Sequence, residues 1–427
     1  MADKPSHVTG SLITIGDEIL LGDIINGNAR HIAAELRGCG FLLDRIITVG
    51  DIEDDIVEYL GKCLEGSNFV IVTGGLGPTD DDRTCAAVSK AMQRPLICNR
   101  DYAQWLREHL GQAGLGWTKE VERMAELPEG AVKLGMDSAG FSLIHKDIPC
   151  YFLPGVPEEV KLLLGKMVIP DLEARFPNRC AYLKHIIRIQ GMPEAQINQK
   201  LRSLEPDQDV EIGYYPQQGE NWVSIFATGK DGQECRDIMM RAKDKVVALI
   251  GERHISGHND DCLEKVIGRL LRERCWRLVL AESCTGGLLS RKITAVSGAS
   301  DYLDRGFVTY SNRAKQELLG VPEKLLSGCG AVSSEVARAM AQGAARNAGA
   351  EVAIAITGVA GPTGGSKEKP VGTVFIACVT PEGQRVKKYS FGAQPREQIQ
   401  ESSAQAALAM LWELLAGGKK PPVCDRL

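Results

Sequence analysis

A chain of 427 residues is too long for one ordinary hydrophobic core and implies two or three domains. Its 44% hydrophobic and 25% charged residues are those of a globular protein, and a formal charge of −5 removes the electrostatic case for binding nucleic acid or an anionic membrane. No run reaches the roughly 18 apolar residues of a membrane helix. The opening MADKPSHVTGSLITIG has no leader-like apolar stretch, and the 13 cysteines are scattered without a C-x-x-C, so the expected location is cytoplasmic, with reduced thiols.

In the first third, short β-branched runs alternate with helical periodicity. SLITIG, FLLDRIITVG and NFVIVTGG predict strands, and NARHIAAELRGCG and DIEDDIVEYLGKCLE predict helices. CYFLPGVPEEVKLLL adds a strand, a proline-rich turn and a helix. Such alternation belongs to a parallel sheet with helices on both faces, placed at residues 8–172. Residues 178–252 predict a small α+β unit, with strands AYLKHIIRIQG and NWVSIFATGK and helices PEAQINQKLRSLE and QECRDIMMRAKDKVVALIG. A KH-like RNA-binding module would carry a G-x-x-G clamp; IQGMPEAQI has none, which favours a spacer. GERHISGHNDD is expected to be a linker with solvated His254 and His258, since the Ser-Gly between them argues against a shared metal-binding helix face.

The third domain, at 260–417, opens on the amphipathic helix CLEKVIGRLLRERC. Strand WRLVLAES, helix GGLLSRKITAV and strand DYLDRGFVTYS follow, then the Ser-capped helix SSEVARAMAQGAARNAG. Strands EVAIAITG and GTVFIACVT lead to the long helix QPREQIQESSAQAALAMLWELLAG. The expected fold class is therefore α/β: two parallel or mixed-sheet, three-layer domains joined by a small α+β middle domain.

VTGGLGPTDDDRT follows a predicted strand directly. Gly74, Gly75 and Gly77 let the backbone approach a ligand, and Thr79 offers a hydroxyl. Asp80, Asp81 and Asp82 supply more carboxylates than a helix cap needs, which suits a divalent metal on phosphate oxygens. Gly16, Asp17 and Glu18 end the first strand, Asn26 and Asn28 come soon after, and Pro154, Gly155 and Pro157 form a rigid turn after another strand. Three loops thus converge on the carboxyl edge of a parallel sheet, where ligands bind. On these motifs this half resembles the molybdopterin-binding MogA/MoaB-like fold. GGLGPTDDDRT follows its GG-x-G-x-x-x-x-D-x-T pattern, with the acid at Asp82 and the threonine at Thr84. The whole chain resembles the CinA family, which implies a metal-dependent ADP-ribose pyrophosphatase here, releasing AMP and ribose 5-phosphate with a divalent ion on Asp81 and Asp82. Asp80 stands where that family commonly has a non-acidic residue.

In LVLAESCTGGLLSRK a strand ends at Ser283 and a helix begins at the glycines Gly286 and Gly287, which with Cys284 are expected to bind the substrate of this domain. No histidine follows His258, so composition excludes a Ser-His-Asp triad built within this domain. Lys315, 32 residues on, is a base if burial or a cation such as Arg313 lowers its pKa. Cys284 competes as nucleophile but lacks a histidine partner, and Ser283 is preferred. AITGVAGPTGG, with Gly358 and Gly361, suits an oxyanion hole or a phosphate loop, and Arg396 a phosphate contact. AESCTGG, YSNRAK, GAVSSEVARAMAQGA and TGVAGPTGG match the CinA C-terminal domain in order and spacing, with Thr363 departing from its usual loop. That resemblance implies a nicotinamide mononucleotide deamidase with no cofactor, a Ser283–Lys315 dyad, Tyr310 and Thr357 in the same pocket, and a homodimer. The competing expectations are a non-catalytic scaffold in competence or the DNA-damage response, and a molybdopterin-binding first domain.

Overall fold

The computed structural model describes residues 7–112, 116–204, 208–217 and 219–417. The first six residues of the opening segment, and Glu205 at the end of PEAQINQKLRSLE, lie outside the described residues. The chain divides into two compact units, Met1–Lys184 with Ala227–Met239, and His185–Phe226 with Met240–Leu427.

The first unit contains β1 (Val8–Ile15), β2 (Phe41–Val49), β3 (Phe69–Thr73), β4 (Leu96–Cys98), β5 (Glu126–Pro128), β6 (Val132–Lys133), β7 (Phe141–His145) and β8 (Ile148–Leu153). Its main sheet has the order β2-β1-β3-β8-β7-β6, and β4 pairs with β5 separately. The strands from β2 to β8 in that order are parallel, while β7 and β6 are antiparallel. Strand alternation feeds a core on each face. Leu12, Ile71, Tyr151 and Leu153 join one with helices Gly27–Gly38 and Pro157–Leu163. Ile13, Val70, Val72 and Phe152 join the other with helices Glu53–Leu64 and Thr84–Met92. All four parallel strands therefore end at one edge. The short strands β4 to β7 were not foreseen, because two to five residues carry too little periodicity to read.

A four-stranded sheet, β10-β11-β9-β12, uses β9 (Ala181–Ile189), β10 (Val210–Gln217), β11 (Glu220–Gly229) and β12 (Ile255–His258). β12 corrects the linker expectation: Ile255 to His258 pair antiparallel with β9, and the Gln190 amide donates to the His254 carbonyl at 2.8 Å. His258 is half-buried, with Nδ1 3.1 Å from Nε2 of His185, while His254 Nδ1 lies 3.3 Å from the Gln190 carbonyl. Burial, then the charges of His258 and Lys243, push the His185 imidazole down to about 4.

The second unit's large sheet has the order β14-β13-β15-β16-β17, from β13 (Leu278–Glu282), β14 (Leu303–Val308), β15 (Val352–Gly358), β16 (Thr373–Thr380) and β17 (Gly383–Ser390). The first three in that order are parallel and the last two antiparallel, a mixed sheet. β17 was not foreseen, because the polar run GQRVKKYS shows no apolar face. On one face Leu278, Leu280, Ile354 and Ile376 pack against helices Leu263–Glu273 and Arg396–Gly417. On the other, Ala281, Ala353, Ala355 and Ala377 let the alanine-rich helix Ser334–Ala348 approach closely. A Cβ on Gly343 of that helix would lie 1.8 Å from the Leu319 carbonyl oxygen, so helix Asn312–Leu319 seats there only because position 343 is bare. Gly343→Ala is expected to cost about 1–3 kcal/mol, read as a lowered midpoint of thermal unfolding; an unchanged midpoint contradicts the tight seat.

Among the described residues no helix is long and apolar enough to cross a membrane. The described cysteines from Cys39 to Cys262, and Cys284, Cys329 and Cys378, are free thiols, whereas Cys275 is disulfide-bonded.

Candidate active sites

In the first unit the parallel strands deliver their following loops to a cavity of about 560 Å³. Gly16 and Glu18 after β1, Gly74 to Gly77 with Asp81 and Asp82 after β3, and Pro154 with Gly155 after β8 all contribute to its wall. Gly74 has φ 105°, and a Cβ there would meet the Ile15 carbonyl at 2.2 Å, so only glycine lets the β3 loop cross the end of β1. The Thr79 amide and hydroxyl both donate to Asp82 Oδ2, folding the acidic turn over Gly77. Thr79, Thr84 and Asn28 hold loops rather than line the cavity. Thr84 is fully buried and donates to the Gly74 carbonyl at 2.8 Å, and Asn28 donates to the Gly155 carbonyl at 2.8 Å. Asp80 turns outward to Arg123, 3.1 Å away, so the additional acid is neutralised outside the cavity wall.

Sequence reasoning missed Asp51, Tyr102, Trp105, Asp137, Ser138 and Glu159, which also line the cavity. Asp51 had a legible signal, because it follows β2 at the same carboxyl edge. Burial, then the carboxylates of Asp17, Glu18 and Asp81, push Asp51 upward, partly offset by its bond from the Asp17 amide. Its neighbours therefore form one acidic field with room for a cation. Among the described residues no three His, Cys, Asp or Glu side chains form a ready-made metal cage. Asp81 and Asp82 at a glycine loop instead fit a hard divalent ion that takes one or two carboxylates, with ligand phosphates and water completing its shell.

The second unit's site is built where β13 ends. Glu282, fully buried, turns its carboxylate onto the following helix, accepting from the amides of Gly287, Leu289 and Ser290 and from the Ser290 hydroxyl at 2.6–3.1 Å. The Ser283 amide donates to the Ile356 carbonyl at 3.0 Å, prolonging the β13–β15 pairing up to the serine. The Gly286 amide donates to the Ser283 carbonyl. The amides of Gly286 and Gly287, expected to meet a ligand, are thus spent inside the turn. Those of Cys284 and Thr285 have no hydrogen-bond acceptor in another residue among the described residues.

Helix Asn312–Leu319, capped by Ser311, brings Lys315 Nζ to 3.0 Å from Ser283 Oγ. Nζ lies 2.8 Å from the Thr309 carbonyl and 3.4 Å from that of Tyr310. A neutral amine is fully satisfied there, with two N–H groups for two carbonyls and a lone pair for the serine hydroxyl. Lys315 is 1% exposed, and among the described residues no carboxylate pairs with it. Burial lowers its pKa, with Cys284 acting in the opposite sense. The expected cationic neighbour is corrected: Arg313 points to solvent and pairs with Glu317 at 3.4 Å. The Cys284 side chain sits in the core, where burial pushes its thiol up to about 12. The Thr357 hydroxyl donates to the Ala331 carbonyl at 2.8 Å, and Gly358 ends β15. Arg396 donates to the Gly361 carbonyl at 2.7 Å and to the exposed Tyr310 hydroxyl at 2.8 Å, clasping two loops. Thr363 is exposed. Gln400, which sequence reasoning missed, donates to the Cys284 carbonyl at 2.8 Å.

Three family models match the chain: the probable molybdopterin binding domain at residues 11–174, the damage-inducible protein CinA KH domain at 184–254 and the CinA C-terminal domain at 260–415. A CinA-like protein of Syntrophobacter fumaroxidans is 60% identical over 416 residues, covering 97% of this chain and 98% of that protein. A CinA-like protein of Geobacter sulfurreducens is 40% identical over 403 residues, 93% of this chain and 97% of that protein. Among solved structures, the competence/damage inducible protein CihA from Agrobacterium tumefaciens is 39% identical, covering 36% of this chain and 96% of that one with a TM-score of 0.34. With relatives this similar along almost their whole length, the chain belongs to the CinA family.

Proposed function

We propose that the second unit is a serine–lysine amidohydrolase converting nicotinamide mononucleotide and water to nicotinate mononucleotide and ammonia. The supporting observation is the buried Lys315 amine, 3.0 Å from Ser283 Oγ. Oγ bonds to the carboxamide carbon as its proton passes to Nζ, and the carbonyl electron pair moves onto oxygen. The free amides of Cys284 and Thr285 are donors available to that oxygen. Collapse restores the carbonyl and breaks the C–N bond, and the proton on Nζ leaves with ammonia. Water then gives a proton to Nζ, its hydroxide cleaves the acyl ester, and Ser283 Oγ recovers the proton. The cationic pyridinium makes the carboxamide carbon more electrophilic. Arg396, beside Tyr310 and the 358–361 loop, is the cation available to the 5′-phosphate. Ammonia release from nicotinamide mononucleotide by the purified chain tests the proposal. A scaffold without catalysis releases none.

The acidic cavity favours the second reading, a metal-dependent ADP-ribose pyrophosphatase in the first unit. A divalent ion on Asp81 and Asp82 supplies neutralisation of diphosphate charge when bound. The glycine loop sets backbone close to the diphosphate, and Thr79 holds Asp82 in place. Asp82→Ala is expected to lower ADP-ribose cleavage at least about 100-fold and to leave deamidation unchanged. Chelator is expected to act likewise. Intact cleavage in this variant overturns the assignment, and pterin co-purifying with the protein points to molybdopterin binding instead.

A further inference from the structure

The cavity of the first unit is larger and chemically more divided than a metal-bound diphosphate requires. One part of its wall is the glycine loop with Glu18, Asp51, Asp81 and Asp82. Another part comes from outside the sheet. Helix Arg100–Gln112 supplies Tyr102, Trp105 and Leu106, and helix Lys119–Met124 supplies Met124. About 560 Å³ is a volume that holds a whole drug-sized ligand.

We infer that Trp105, backed by Tyr102, seats the flat base of a nucleoside diphosphate and selects nucleotides over base-free diphosphates; the inference rests on the pyrophosphatase reading of this cavity. The aromatic wall is already stacked before any ligand arrives. The Tyr102 and Trp105 rings lie 19° from parallel with centroids 6.2 Å apart, and His109 stacks on Trp105 at 3.9 Å. His109 Nδ1 also lies 2.9 Å from the Trp105 carbonyl, fixing that stack to its own helix. Lys133 places its ammonium 3.7 Å from the Tyr102 ring centroid, pinning the ring. Tyr102 is 2% exposed, yet its hydroxyl makes no hydrogen bond among the described residues, which leaves a donor at the cavity wall for a base nitrogen or ribose oxygen. Trp105 itself is half-buried and lines the cavity. An aromatic platform accepts any base by its π-face, which predicts a preference for nucleotides with little discrimination among bases.

The test is calorimetric titration of the full chain with ADP and with inorganic diphosphate, each in magnesium. Wild type is expected to bind ADP more tightly than diphosphate. Trp105→Ala is expected to weaken ADP about tenfold while diphosphate stays within about twofold, and Trp105→Phe is expected to recover most of the loss. Equal wild-type affinity for the two probes, unchanged ADP affinity in Trp105→Ala, or equal loss of both probes overturns the inference. ADP-ribose turnover by wild type reads the underlying assignment separately. No turnover together with selective ADP loss rejects the pyrophosphatase chemistry and keeps the base seat. Turnover with a silent Trp105→Ala keeps the chemistry and rejects the seat.

Discussion

Ser283→Ala is expected to abolish ammonia release from nicotinamide mononucleotide, a fall in kcat of about 10⁴-fold or more, while Cys284→Ala keeps most of the activity. The two residues are neighbours, but the turn sends them opposite ways. Ser283 meets the buried Lys315 amine, whereas Cys284 packs among Leu289, Ile356 and Ile399 in the core. A thiol pushed up to about 12 is almost wholly protonated at neutral pH, and the thiolate is the reactive form. Cys284→Ala is also small enough for the core to absorb. A coupled ammonia assay on both variants decides the matter: an active Ser283→Ala with a dead Cys284→Ala exchanges their roles.

The second large effect is at the base. Lys315→Ala is expected to lower kcat about 10³-fold or more, and Lys315→Arg is expected to be no better. The arginine comparison separates two roles. A lysine that serves only as a positive charge is replaced by arginine, whereas a base is not, because a guanidinium does not deprotonate in proteins. Burial favours the neutral amine, so the folded Lys315 titrates below its ordinary range. In the proposed mechanism the active form is the deprotonated one. Activity is therefore expected to be present above that lowered pKa and to fall as pH drops through it, and residual activity in Lys315→Ala should lose this acidic limb. A full-rate Lys315→Arg, or an acidic limb that survives in Lys315→Ala, assigns the proton transfer to another group.

The large sheets were legible because each central strand is a bounded β-branched or alanine-rich run. NFVIVTGG and EVAIAITG fall within one or two residues of β3 and β15, while SLITIG starts three residues after β1 does and ends one residue beyond it. Edge elements were not. β17 is polar on both faces and β6 has two residues, so neither carries a period, and their pairing is decided by the strand beside them. Gly-rich GERHISGHNDD hid β12 for the same reason. Within the sites, spacing could propose Lys315 but not the source of its lowered pKa. The sequence neighbour Arg313 sits on the outer face of the same short helix, and enclosure by distant residues does what a nearby charge was expected to do. Aromatic Trp105 was invisible as a site residue, because its helix reads as an ordinary amphipathic segment until the cavity beneath it is seen.

Arg396 and Gln400 reach the Tyr310 hydroxyl, the Gly361 carbonyl and the Cys284 carbonyl from the first turns of helix Arg396–Gly417. During translation the ribosome delivers both members of the dyad roughly eighty or more residues before these two side chains emerge. On the proposed amidohydrolase reading, a nascent chain thus holds Ser283 and Lys315 while the strap that steadies their surrounding loops is still unmade, and ammonia release is expected only once helix Arg396–Gly417 has docked.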